Sequence, residues 1–154
     1  MGFRITGLDP ELFADLHALA DAALAQKGIQ RVRVTEAHAA PCRITLDDAE
    51  IGESVLLLSF DHQPAETPYR QQGPIFIREA SRRFSGNDVI APALARRPLS
   101  LRGYDGAHMM IEAELCDGAQ ARAMIERVFD NPDVAYIHAH YARRGCYAAL
   151  IERA

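Results

Sequence analysis

The residues with most chemistry to offer lie near the C-terminus, in IHAHY at 137–141. Alternate residues of a strand point to the same face, so His138 and His140 would project together and could grip one ion. The local sequence holds no third ligand. His62, His108, Glu112 or Cys146 would have to bring it through the fold. Without that group the pair reads as a polar sheet face with Tyr136 alongside, and no metal site is assigned. A metal-assisted hydrolase using His138 and His140 is the third reading of the chain.

The second stretch of interest is SFDHQPAETPYRQQGPIFIRE, residues 59–79. It leaves one apolar run and enters another across Pro64, Pro68 and Pro74. The pattern predicts a loop over 61–74, with its backbone pinned at the prolines. Long loops in compact domains are often functional. This one presents Tyr69 and Arg70, an aromatic face beside a guanidinium suited to carboxylates and phosphates. Arg78 follows on the next strand, and Arg143 and Arg144 fall at a turn, where arginines are mostly solvated surface. The cysteines are Cys42, Cys116 and Cys146. They are odd in number, far apart and without a CxxC, which argues against a disulfide framework or a zinc ribbon. Cys146, across a turn from the histidines, could lie near a base; free cysteines are more often packing residues. No GxSxG, Walker loop, HExxH or dinucleotide-binding glycine pattern occurs, and no cofactor is assigned.

Several elements could position these groups. DPELFADLHALADAALAQKG at 9–28 predicts a helix, capped by Asp9 with Pro10 at its first position and an apolar stripe including Leu12, Leu16, Leu19 and Leu24. QRVRVTEA, CRITL, SVLLLSF, PIFIRE, LSLRGYDG and HMMIEAEL read as strands, and APALARR as a short helix. DGAQARAMIERVFDNP predicts a second main helix with Asp117 as cap, Gln120 at the capping-box position and Ala121, Met124, Ile125 and Val128 inward. VAYIHAHYARRGCYAALIER predicts a β-hairpin turning at ARRG. The expected fold is α+β: a single domain spanning 1–154, a largely antiparallel sheet, two main helices and a C-terminal β-hairpin.

At 154 residues the chain can bury a core without staples. Its net charge of −4 gives no support to nucleic-acid binding. No apolar run approaches a membrane span, and the N-terminus lacks a signal core, so a cytoplasmic protein without a membrane partner is expected. Charge is uneven: residues 61–102 carry seven arginines against four acids, a balance of +3.

PCRITL, TPYRQQGPIFIRE, LRGYDG and VAYIHAHYARRGCYAALIER together resemble the bacterial family called domain of unknown function 1203. The resemblance spans nearly the whole chain, with its signature spread from Cys42 to Arg153. Its pattern falls on Cys42, Arg43, Pro68, Tyr69, Gly73, Pro74, Tyr104, Asp105, His138, Gly145 and Cys146. His140 lies outside it, which weakens the HxH metal reading. The resemblance implies a small bacterial protein and brings no reaction or cofactor with it. The leading expectation is a pocket for a small polar or anionic molecule, formed by the 61–74 loop and the His138 strand. Tyr69, Arg70 and His138 would line it, with Arg43, Tyr104 and Cys146 behind them. The alternative is a protein-interaction or homodimerisation module without catalysis. Thiol titration of the denatured, unreduced protein should find three thiols per chain; one thiol would mean a disulfide and overturn the compartment expectation.

Overall fold

The computed structural model describes residues 2–154. Its strands are β1 (Phe3–Thr6), β2 (Gln30–Arg33), β3 (Ser54–Gln63), β4 (Gln71–Ile77), β5 (Ser85–Asn87), β6 (Pro98–Tyr104), β7 (Met110–Asp117), β8 (Tyr136–Tyr141) and β9 (Tyr147–Arg153). Its helices are α1 (Asp21–Gln26), α2 (Pro92–Ala95) and α3 (Ala121–Phe129). Six strands form one sheet in the order β5-β1-β9-β8-β6-β7, and three form another in the order β2-β3-β4. Every strand pair is antiparallel. The architecture is α+β, as expected, with the C-terminal hairpin β8–β9 in the middle of the large sheet. Among the described residues no helix is long and apolar enough to cross a membrane.

The larger core lies between α3 and one face of the large sheet. Ala121, Ile125 and Val128 of α3 join Leu99, Leu101, Ile137, Ala139 and Ile151 in one buried cluster. The helix forms where apolar residues recur at helical spacing. Asp117 makes no side-chain cap; a 3-10 turn over Gly118–Gln120 starts the helix instead. A second cluster joins Leu56, Leu58, Ile75 and Ile77 of the small sheet to Phe13, Leu24 and Ile29 of the N-terminal segment.

Three further local expectations are corrected. The helix expected over 9–28 is broken into a 3-10 turn at Pro10–Leu12 and the short α1. Asp9 does cap the first turn, accepting from the Glu11 amide. Arg31 then donates to the carbonyls of Leu19 and His17, which a continuous helix would use itself. CRITL forms isolated bridges and a turn, because Leu46 adopts a left-handed φ of 51° and its amide returns to the Cys42 carbonyl. The 61–74 loop shrinks to residues 64–70, since β3 runs on to Gln63 and β4 begins at Gln71. Polar pairing residues concealed that extension, and Pro74 is tolerated because β4 is an edge strand. On β7 the apolar face looks outward: Ile111 and Leu115 are exposed. The acidic face lies under α3, where Asn131 donates to Glu112 and Arg127 faces Glu114 at 3.5 Å.

Gly118 lets the segment before α3 pass against the end of α2. A Cβ there would sit 2.1 Å from the Leu94 carbonyl oxygen. Gly118→Ala should lower stability by about 1–3 kcal/mol or more. Urea unfolding should show a lower midpoint at unchanged slope; an unchanged midpoint would contradict this packing.

Candidate functional site

The hairpin strand β8 is buried on both faces. Ile137, Ala139 and Tyr141 point toward α3, while His138 and His140 point to the opposite face. On that side the far end of β3 crosses the sheet and delivers His62. Its ring stacks on Tyr147 of β9, with centroids 5.1 Å apart and planes 7° apart. The same ring meets His140 edge-on at 5.1 Å and His138 at 6.3 Å. One ring nitrogen from each of His62, His138 and His140 can be chosen so that all three lie within 4.8 Å of one another. Thus His62, one of the four groups left to the fold to supply, comes from β3 as a third imidazole.

The three histidines are buried, with exposures of 8%, 6% and 0%. Nδ1 of His62, Nδ1 of His138 and Nε2 of His140 are fully buried and lack a hydrogen-bond partner. A buried polar atom left unpaired costs about 1–3 kcal/mol, so three in one cluster require an explanation. The tautomer of His140 is fixed by its surroundings. Its Nδ1 lies 2.8 Å from the Gly145 carbonyl, an acceptor, so Nδ1 carries the proton and Nε2 presents a lone pair. Gly145 belongs to the ARRG turn and has a φ of 79°, a conformation suited to glycine.

Electrostatics keep these rings neutral. Burial, followed by the neighbouring histidines and Arg102, pushes His138 down to about 3. Burial and then Arg102 push His62 down to about 4. His140 is brought to about 4 by burial, against the opposing hydrogen bond to Gly145. Neutral imidazole is the form that ligates metals. Zinc sits about 2.0–2.1 Å from such nitrogens, which places tetrahedral neighbours roughly 3.4 Å apart. A modest contraction of the cluster would suffice.

Around the imidazoles stands an aromatic wall. Tyr104 is 1% exposed; its centroid lies 5.1 Å from that of His138, and it stacks on Tyr136 at 5.2 Å. Gln63 donates to the Tyr136 hydroxyl, which also contacts His108 Nδ1 at 2.8 Å. Tyr69 reaches this wall from the 64–70 loop, edge-on to Tyr104 at 6.4 Å. The loop and the His138 strand therefore do meet, through Tyr69, Tyr104 and His138.

The other expected residues have different places. Arg70 turns to Asp61 at 3.6 Å and is largely exposed. Arg43 is buried and donates through Nε to the Tyr147 carbonyl at 2.7 Å, with its guanidinium over Tyr141 at 4.9 Å. It braces β9 from behind. Cys146 is half-buried beside Tyr147 at the start of β9, and its carbonyl accepts from the Tyr141 amide. Cys42 is a packing residue whose sulfur accepts from the amides of Ile44 and Arg78.

A family model described as protein of unknown function (DUF1203) matches residues 39–153. The chain belongs to this family. The matched region runs from before β3 to the end of β9 and so takes in the whole imidazole cluster. No curated protein and no solved structure matches the chain.

The sequence pattern leaves His62, Gln63, Arg102 and Tyr147 outside the expected pocket. His62 enters only as one of four residues that could supply a third ligand. Its signal was faint: a histidine in the polar continuation of an apolar strand. Arg102 carried no signal, since its nearness to His138 depends on which strand pairs with β8.

The depressed histidines make stability depend on pH. Their folded values lie below the unfolded value of about 6.5, so the unfolded chain takes up protons that the folded chain refuses. Their contribution is fully present above pH 6.5 and is lost as pH falls toward 4 and then 3. The urea midpoint of metal-free protein should fall through that window. Each proton taken up contributes a slope of about 1.4 kcal/mol per pH unit, and His138→Leu should take up one fewer. Equal pH dependence in the two proteins would contradict a buried, neutral His138.

Proposed function

We propose that this protein binds a divalent transition metal through His62, His138 and His140. The observation that carries the reading is the convergence of three buried imidazoles, each with a ring nitrogen that has no protein partner. Imidazole ligands suit zinc, copper, nickel and iron. Zinc is the best match to a compact set of three neutral nitrogens. Three protein ligands leave one position open for water or a ligand, the arrangement of catalytic rather than structural zinc. An ion so held can polarise a bound group or lower the pKa of its water to about 7. The polar-ligand pocket expected from the loop and the His138 strand becomes, on this reading, the surroundings of the ion. Tyr69, Tyr104 and Tyr136 form its aromatic side. An interaction module would rest on the exposed Ile111 and Leu115 of β7. Nothing there identifies a covering partner, so the imidazole cluster is the stronger basis.

The test is metal content in untagged protein purified without chelator. We expect about one equivalent of metal per chain, and loss of it in His138→Ala and His140→Ala. Zinc added to metal-free wild type at a hundred times its dissociation constant should stabilise the fold by about 2.7 kcal/mol. Trace metal only, with no thermal response to zinc, would overturn the reading.

A further inference from the structure

Arg102 is the charged side chain whose placement beside the imidazoles neither packing nor ion pairing explains. It lies on β6 directly opposite His138 of β8, and Ser100 lies opposite His140. Residues two apart on a strand share a face, so Ser100 and Arg102 flank the two histidines. The Arg102 Nε donates to Ser100 Oγ at 3.3 Å and Nη1 to Gln71 Oε1 at 3.2 Å. Both acceptors are neutral. Among the described residues no carboxylate lies within ion-pair distance of this guanidinium. Its positive charge is felt at His62, His138 and His140 alike.

The remaining charges do not neutralise it. Asp61 precedes His62 on β3 and its charge acts on that imidazole, but its carboxylate is shared with the exposed Arg70 at 3.6 Å. Arg43, on the far side of Tyr147, is held by backbone carbonyls and the Tyr141 ring. Three neutral imidazoles would bring no charge to a divalent ion, and a guanidinium stands beside it. Such a site favours an anion over a neutral ligand. Arg102 itself is half-buried, and two open features adjoin it. Ala113, opposite Arg102 on β7, is small and exposed. Gln71 also lines an open depression of about 300 Å³ with Asp61, Arg70 and Gln72.

We propose that the metal's open position and Arg102 together form a two-point site for a small oxyanion, a carboxylate or a phosphate. One oxygen binds the ion and another accepts from the guanidinium. This rests on the metal reading above. It moves the anion-recognising role expected of Arg70 to Arg102, and it assigns Gln71 and Ser100 to holding that side chain in place. Arg70, at the rim of the depression, has its charge shared with Asp61.

The experiment uses cobalt(II) as the ion, because its visible spectrum reports a change in coordination. Cobalt uptake is measured first, then the spectrum is titrated with acetate and, separately, with inorganic phosphate. We expect one cobalt per chain in wild type, Arg102→Met and Arg102→Lys. At least one of the two anions should perturb the wild-type spectrum with saturation. Arg102→Met should weaken that anion tenfold or more, Arg102→Lys less, while azide, which needs only the metal, binds all three proteins equally. Which anion saturates at the lower concentration distinguishes a carboxylate from a phosphate site. Gln71→Ala, which keeps the guanidinium, separates a structural role: it should weaken the anion less than Arg102→Met. No cobalt uptake would overturn the metal reading and this inference with it. Uptake with no anion response, or equal anion affinity in wild type and Arg102→Met, would overturn this inference alone.

Discussion

The contact between the end of β3 and the β8–β9 hairpin is the constraint on which the rest of the site depends. Burying imidazole is favourable for its carbon edges and costly for any nitrogen left without a partner. Here His62 stacks on Tyr147 and abuts His140, and the three imidazoles are buried together. The flanking parts serve that contact. Arg43 ties the Tyr147 carbonyl, Gly145 orients His140, and Gln63 reaches Tyr136 across the sheets. Loss of any of these would loosen the side chains that face the cluster.

The cluster sits in a positive environment. Arg43 and Arg102 both lower His140, and neither has a carboxylate partner among the described residues. A protein selected for stability alone would answer the buried Arg43 charge with a carboxylate, or replace that group by an apolar one. Local rules are broken chiefly at functional sites, where stability is given up for chemistry. The well-paired acid of this chain stands elsewhere: Asp48 takes Arg96, Arg97 and His38 and does ordinary structural work. The contrast between the two regions is the physical reason for proposing a site at the imidazoles.

The proline-rich connection has a smaller and more definite task than its length in the sequence implies. Much of it is strand, and the part that is loop spans 64–70. Thr67 accepts from the Tyr69 amide, and its hydroxyl reaches toward the His108 carbonyl at 3.5 Å. Prolines reduce the conformations the unfolded loop can sample, so holding Tyr69 against Tyr104 costs less entropy. The loop closes the aromatic wall; the guanidinium beside the imidazoles comes from β6.

The sequence by itself determined the elements whose signals are local. Alternation set the faces of β8, helical spacing set α3, and ARRG set the hairpin turn, because side-chain direction along one element follows from its period alone. It therefore determined that His138 and His140 share a face, and it placed Tyr69 in a pinned loop. Tertiary structure decided everything that needed two elements at once. The register of β6 on β8 brought Arg102 to His138, and the small sheet's position brought His62 to both histidines. It also turned Ile111 and Leu115 outward and broke the N-terminal helix, where Arg31 captured its carbonyls. Strand pairing and sheet packing are long-range choices made by the whole core, and no window of sequence around either histidine contains them.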